Sequence, residues 1–300
     1  MKITKNTMHK FILNRNTLGK RFKECWNDIN KICQDNSLLY STMWTDNVDE
    51  TKAIIKDTEN YNSAVFYGIG GDGTIHNLIN TVNIRKYPIQ IIPYGTCNDA
   101  YRHFYENTPF DLKDFILNNN LETFDLGSAN GEYFINSVGI NLEGNIIKNY
   151  NELFKTKKWL LSSWKYYLSI IYTILKNYKD ILVVFDFEYI KKNVLLINIS
   201  NAPYEGGGIK LSPHATPTDG LLNVIFAQDM TTIKTLFLLS KIKSGQHLNS
   251  KNICKYNRID LHIDSPNEFL YQIDGELRTD SKVALKVHPM SLTLKGISHK

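Results

Sequence analysis

Apolar positions in the first 120 residues fall in short runs separated by polar, helix-like stretches. "KFIL" around Phe11 precedes an amphipathic segment from Lys20 to Cys33, and then come "LLYSTMW", "DETKAIIKD", "SAVFYGI", "TIHNLINTV" and "IQIIPYG". This alternation predicts βα units on a parallel sheet. From Leu121 the pattern changes to "TFDLGSANGEYFINSVGI", "ILVVFDFEYI", "NVLLINIS", "GLLNVIFAQ", "RIDLHI", "FLYQID" and "VALKVHPMSLTL", which predict strands joined by turns. One helical stretch interrupts this β-rich half, from Lys155 to Asp180, with Trp159, Trp164, Tyr166 and Tyr167 beside a basic start. A boundary is expected near residues 120 to 125, and a cleft between the halves is the natural ligand site.

Composition narrows the class. With 300 residues and 42% hydrophobic content the chain can fill two ordinary cores. A net charge of +5 lacks the dominant basic character of a nucleic-acid binder, so no nucleic-acid partner is expected, while anionic phosphate or lipid suits it. The four cysteines, Cys25, Cys33, Cys97 and Cys254, show no metal or disulfide spacing, and reduced thiols in a cytoplasm are expected. No apolar run is long enough to span a bilayer, which leaves surface attachment. Lys157, Lys158, Trp159 and Trp164 suit an anionic membrane interface, and a helix packing its apolar face on the β half is the plainer reading of the same stretch.

The chemistry concentrates in glycine-rich turns. "GIGGDGTIHNLIN" puts Asp72 among Gly70, Gly71 and Gly73 where a strand gives way to a helix, a geometry in which backbone N–H groups approach phosphate. A carboxylate there would repel phosphate unless it holds Mg²⁺ or a substrate hydroxyl, as phosphoryl transfer requires, so Asp72 is a candidate catalytic acid. The alternative is a tight turn in which Asp72 caps the helix. The next strand ends in "YGTCNDAYR", where Gly95, Thr96 and Asn98 would meet a nucleotide at the same sheet edge.

GGDGT followed by GTxND resembles the bacterial soluble diacylglycerol kinase and sphingosine kinase family. "APYEGGGIKLSPHATPTDGLLNVIFAQDM" and "YQIDGEL" resemble two later segments of that family, so the likeness spans almost the whole chain. It implies an α/β plus β fold: a Rossmann-like nucleotide domain over 1–123, with 289–300 returning to it, and a β-sandwich lipid domain over 124–288. It also implies ATP touched by Gly70, Gly71, Asp72, Gly73, Thr74, Ile75, His76 and Asn77, by Gly95, Thr96 and Asn98, and by a threonine after the second strand, Thr45 or Thr42. The early phosphate motif is loosely echoed by Asn14 and Gly19 in "LNRNTLGK".

By the same resemblance Mg²⁺ is held by Asp219 with the carbonyls of Thr216 and Leu221, an oxygen-only set that suits the ion. Read alone, "TPTDG" is an ordinary turn between strands. Glu276 is implied as the base that takes the lipid hydroxyl proton, Asp274 organises its turn, and Asp72 is the rival base. Without its companions "QIDGEL" reads as a hairpin with an exposed glutamate. His76, Asn77, His214, Thr218 and Asn223 depart from residues common in the family.

The reading is therefore a lipid kinase dependent on ATP and Mg²⁺, acting on a diacylglycerol-like lipid, cytoplasmic and peripheral at the inner membrane face. The sequence admits a homodimer. The rivals are a kinase for NAD or a sugar, and a catalytically idle lipid or nucleotide sensor suggested by the missing acids at Asn77, His214 and Thr218.

Overall fold

The run "SAVFY" becomes the central strand of a parallel sheet. In the computed structural model, which describes residues 2–45, 61–106, 110–156, 162–176, 181–185, 190–228 and 230–297, the chain divides into two units. One comprises Met1–Phe124 with Met290–Lys300, the other Asp125–Pro289. The segment around "DETKAIIKD" and residues Lys157, Lys158 and Trp159 lie outside the described residues.

In the first unit β1 (Met8–Asn14) pairs in parallel with β2 (Leu39–Thr45) on one side and β3 (Ala64–Gly70) on the other. Beyond β3 lies β4 (Ile89–Pro93), also parallel. Every residue of β3 is buried, as expected of a strand covered on both faces. Helix α1 (Phe22–Asp35) buries Cys25, Ile29 and Cys33 at a four-residue spacing against Phe11, Leu13 and Val65. Because β2 and β3 lie on opposite sides of β1, the strand order reverses there, and the carboxyl ends of β1 and β3 flank a crevice.

The second unit is antiparallel. Its strands are β5 (Leu121–Ala129, entered at Asp125), β6 (Glu132–Phe134), β7 (Ser137–Asn141), β8 (Ile181–Phe185), β9 (Ile190–Ser200), β10 (Leu222–Gln228), β11 (Ile253–Arg258), β12 (Asp260–Ile273) and β13 (Glu276–Lys295). The long strands β9 and β12 each pair with β7 along one stretch and with β8 along another, so both pass from one layer to the other. Between the layers lie Phe134, Val138, Ile140, Ile197, Ile199, Val224, Phe226, Leu261 and Ile263. The fold is thus α/β followed by a β-sandwich-like unit: the change of hydrophobic period predicts the α/β and β-rich halves, and the family resemblance implies the sandwich.

Among its described residues the second unit also carries three helices of eight residues or more: α5 (Leu142–Asn149), α6 (Ser162–Leu175) and α7 (Thr232–Lys241). Within the helical stretch expected over 155–180 the structure has α6, residues 157–161 and 177–180 lying outside the described residues, and a π-helical turn at Tyr150–Phe154 precedes it. Helices α5 and α7 are additions to the sequence pattern. No described helix is long and apolar enough to cross a membrane.

The last residues of β13 belong to the first unit, where Leu294 pairs with Ile89 of β4. They carry Lys295, which is fully buried. Its Nζ donates to the carbonyls of Ile116 (2.8 Å) and Phe115 (3.1 Å) and approaches Gln90 Oε1 (3.4 Å), at the end of the short helix α4 (Leu112–Leu117). Burial pulls the Lys295 ammonium down from 10.5 to about 7. Burial, with the Lys295 charge, pulls His9 down from 6.5 to about 4, and His9 Nδ1 meets Tyr67 Oη at 2.6 Å.

Both groups bind protons more tightly in the unfolded chain, so each destabilises the fold as pH falls through its own window. For Lys295 that window runs from 10.5 down to about 7. The midpoint of thermal unfolding should therefore rise from pH 7 to pH 10, and Lys295→Met should flatten that rise. Parallel curves for the two proteins would show that the ammonium keeps its ordinary affinity in the folded state.

Candidate active site

Two glycine turns meet at the carboxyl edge of the first unit's sheet. β3 ends at Gly70, Gly71 is the N-cap, and helix α2 (Asp72–Ile79) begins at once. β4 ends at Pro93, and the chain passes through Tyr94 and Gly95 to helix α3 (Asp99–Phe104). The N–H groups of Tyr94 and Gly95 both reach the Gly70 carbonyl at 3.0 Å. A Cβ on Gly95 would stand 2.2 Å from the Gly71 Cα, so no side chain fits between the turns. Asn98, in the left-handed region at φ 52°, closes its own turn by accepting from Gly95 N–H and donating to the Gly95 carbonyl, both at 2.9 Å.

Asp72 stands between these turns. Its Oδ1 accepts the N–H of Ala100 at 3.1 Å, so the acid of the first turn caps the helix that follows the second. The first amides of α2, which no intrahelical carbonyl can reach, open at the same edge and suit an anion. Thr74 is buried, and its Oγ1 accepts from Asn14 Nδ2 at 3.3 Å across the crevice between β1 and β3. Asn14 also caps the short helix Arg15–Leu18 by accepting from Thr17 N–H. Thr45 closes β2 opposite Asn14, while Thr42 lies mid-strand and accepts the Trp26 indole at 3.0 Å. Thr96 is exposed, Gly73 and Asn77 are half-buried, and Ile75 and His76 turn into the core. Those two can therefore meet a nucleotide only through the backbone. Burial and the nearby carboxylates of Asp99 and Asp72 push the Cys97 thiol up to about 12, which removes it as a nucleophile.

The remaining candidates belong to the second unit. Asp219 is exposed, and its Oδ1 accepts Leu221 N–H at 3.0 Å in a tight turn. Thr216 and Thr218 meet through their hydroxyls at 3.1 Å. This turn is fastened by a residue that the hydrophobic pattern assigns only to a strand: buried Asp125 accepts Gly220 N–H at 2.7 Å and donates its own N–H to the Pro217 carbonyl at 2.7 Å. An acid inside the apolar run "TFDLG" was the available signal. Among the described residues no three His, Cys, Asp or Glu side chains gather as a metal cluster. One carboxylate with carbonyl oxygens is still the hard donor set that Mg²⁺ accepts, its remaining positions being filled by water or phosphate.

Asp274 and Gly275, at φ 47° and 89°, form the two-residue turn between β12 and β13, the conformation for which Asp-Gly is selected. The Asp274 carboxylate accepts the N–H groups of Ile135 (2.8 Å), Asn136 (2.9 Å) and Ser137 (3.2 Å). Glu276, the first residue of β13, is exposed. In the second unit Asp274 is thus a brace, and Glu276 is the acid of this turn presented to solvent.

Comparison with known proteins adds to this geometry. Residues 9–129 match the diacylglycerol kinase catalytic domain, and residues 147–296 match the YegS C-terminal NAD kinase beta sandwich-like domain. The diacylglycerol kinase of Mycobacterium tuberculosis is 27% identical over 238 residues, covering 77% of this chain and 76% of its own. A solved chain from Bacillus anthracis superposes with a TM-score of 0.73 at 19% identity over 99% of both chains. The crystal structure of a diacylglycerol kinase from the same organism does so with a TM-score of 0.62 at 16% identity, over 99% of this chain and 98% of that one. At such identities the structural likeness speaks for the fold.

The bond from Ala100 to Asp72 separates a structural role from a chemical one. Asp72→Ala removes the cap and should lower the unfolding free energy by about 1 kcal/mol, whereas Asp72→Asn keeps an acceptor oxygen and should cost less than half of that. Denaturant titration of both variants checks this, and equal losses would mean that the charge, not the acceptor, holds α3.

Proposed function

The chain belongs to the diacylglycerol kinase family of lipid kinases, and on that premise we propose that it transfers the γ-phosphoryl group of ATP to the hydroxyl of a diacylglycerol-like lipid. The observation that carries the lipid half is an apolar cavity of about 100 Å³ in the second unit. Its walls include Ile146 of α5, Ile170 and Ile174 of α6, Leu195 of β9, Leu211, and Leu239 of α7. Aliphatic walls of this kind stabilise a hydrocarbon chain by roughly 0.8 kcal/mol per buried methylene. They offer a sugar or dinucleotide few partners, which favours a lipid over those acceptors.

ATP is assigned to the first unit. The amides at the start of α2 would face its phosphates, with Asn98, Thr96 and Thr45 along the same sheet edge. In the proposed step the lipid oxygen attacks the γ-phosphorus as the bond to the bridging oxygen breaks, and ADP leaves with that electron pair. Glu276 takes the hydroxyl proton. Asp72, whose Oδ1 already accepts the N–H of Ala100, remains the rival base, and its role in this reading is to orient charge at the phosphates. Asp219, with the carbonyls of Thr216 and Leu221, would hold Mg²⁺, which when bound offsets the charge on the phosphate oxygens.

Labelled ATP with diacylglycerol in mixed micelles tests the reading. Wild-type protein should phosphorylate the lipid, and Asp72→Asn and Glu276→Gln should each lower turnover at least about a hundredfold while ATP binding survives in the second. Transfer to NAD or a sugar with none to lipid would overturn it.

The outer faces of the cavity helices support attachment at an anionic bilayer, on the cytoplasmic side in this reading. On α6, Trp164, Tyr167, Ile171 and Leu175 form an exposed stripe at helical spacing. On α7, Ile233 and Phe237 are 80% and 60% exposed. Lys165, Lys176, Lys234 and Lys241 accompany them, and each lysine near an anionic surface contributes about 1 kcal/mol. Ile233→Asp with Phe237→Asp should lower sedimentation with phosphatidylglycerol vesicles at least about tenfold at low salt. Unchanged sedimentation would leave both residues without a docking role.

A further inference from the structure

Two carboxyl groups on the cavity wall, one buried and one half-buried, take no part in the roles assigned above. Glu143 in α5 is 7% exposed, and Glu205 opens the turn "EGGG". Both line the cavity. Asn198 Nδ2 lies between them and donates to Glu143 Oε1 at 3.1 Å and to Glu205 Oε2 at 3.0 Å. From this pair two hydrogen-bonded paths lead to the same turn. In one, Gln272 Nε2 donates to Glu143 Oε2 at 3.0 Å, and Gln272 Oε1 accepts the N–H of Gly275 at 2.7 Å. In the other, Ser137 Oγ donates to Glu205 Oε2 at 2.8 Å, while the Ser137 backbone donates to Asp274 Oδ1 at 3.2 Å and accepts from Asp274 N–H at 3.0 Å.

We propose that Glu143 and Glu205 are positioning residues, which act through Gln272 and Ser137 to hold the Asp274–Gly275 turn in the pose that presents Glu276. The inference rests on the reading of Glu276 as the base. Its physical core is the orientation of one amide. A side-chain amide offers a donor end and an acceptor end, and the acceptors that turn the Gln272 oxygen toward Gly275 are Glu143 Oε2 at 3.0 Å and, more distantly, Ser137 Oγ at 3.4 Å. An apolar residue at 143 would leave only the longer contact to Ser137 Oγ to hold that orientation. Two carboxyl groups in an apolar wall are a costly way to fix an amide, and such cost is expected where a side chain serves a reacting group. Burial, with the neighbouring Glu205 carboxylate, raises Glu143 well above the usual carboxylate range. The other titratable side chains on the cavity wall are Tyr166 and His247. His247 is kept neutral by burial and meets the Leu211 carbonyl at 2.9 Å.

Gln272→Leu cuts the first path and Gln272→Glu changes its chemistry. Gln272→Leu should lower kcat for lipid phosphorylation roughly tenfold or more, the scale of a misplaced catalytic group, and leave the KM for ATP unchanged. Gln272→Glu keeps an oxygen for Gly275 but faces Glu143 with a second acid. Its activity should rise toward wild type as pH falls and a proton comes to bridge the two acids, and drop as pH rises. A wild-type kcat in the folded leucine variant, or a wild-type pH profile in the glutamate variant, would overturn the proposal. Hydrogen exchange at the Gly275 amide is the readout independent of activity, and should be at least about tenfold faster in Gln272→Leu. Unchanged exchange overturns the inference. Faster exchange in a protein whose wild type phosphorylates no lipid overturns the kinase reading instead and leaves the support of the turn standing.

Discussion

The contact of Gly71 with Gly95 is the constraint on which the candidate nucleotide site depends. With 2.2 Å between a hypothetical Gly95 Cβ and the Gly71 Cα, β3 and β4 can end side by side only if both turns lack side chains there. That closeness lets the Gly70 carbonyl receive two N–H groups from the second turn and brings Asp72 within reach of Ala100. Spread the turns by one methyl group and the amides, the cap and the acid lose their common edge. The parallel sheet aligns the strand ends, and the glycine pair makes them one surface.

A second regularity comes from unsatisfied backbone donors. Tight turns and helix starts leave N–H groups without carbonyl partners, and this chain answers them repeatedly with aspartate. Asp72 takes one such group, Asp125 takes Gly220, and Asp274 takes three. Each of these acids has carboxylate oxygen committed to the backbone donors that it satisfies. Glu276 stands exposed at the first position of a strand, beyond the turn that Asp274 braces, and this division of labour separates the braces from the candidate base.

The sequence disclosed the features that are local. Strand and helix periods gave the α/β half and the β half, because a buried parallel strand such as Ala64–Gly70 is apolar throughout while strands of a sandwich alternate. Helix α5 was hidden: "LEGNIIKN" holds a glycine, two asparagines and a buried glutamate, and it is helical because it packs on α6 and β12 rather than by propensity. The glycine turns were legible since their need for glycine is local. Partners far apart in the chain were not. Asn14 and Thr74 are separated by 60 residues, Asp125 and Gly220 by 95, and Glu143 and Gln272 by 129. No pattern within a short window connects such pairs, although acids in apolar runs, as in "TFDLG" and "INLEGN", mark where a distant donor must be found.

The departures from the family's usual acids can be weighed in the same terms. His76 is buried in the core, and Asn77 contributes its carbonyl to the Thr81 hydroxyl, so the start of α2 is intact without a glutamate. His214 and Thr218 are exposed, and Thr218 is occupied with the Thr216 hydroxyl. None of these positions supplies a brace of the kind that Asp72, Asp125 and Asp274 supply. At 214 and 218 the substitution therefore removes negative charge near the candidate cation site of the second unit while leaving the turn that shapes it in place. In the proposed kinase that loss falls on metal affinity, which bulk Mg²⁺ can offset by mass action, and the placement of Glu276 is untouched because its turn is held from Ser137 and Gln272. The proposed kinase gives a use to the network of amides and acids that ends at the turn before Glu276.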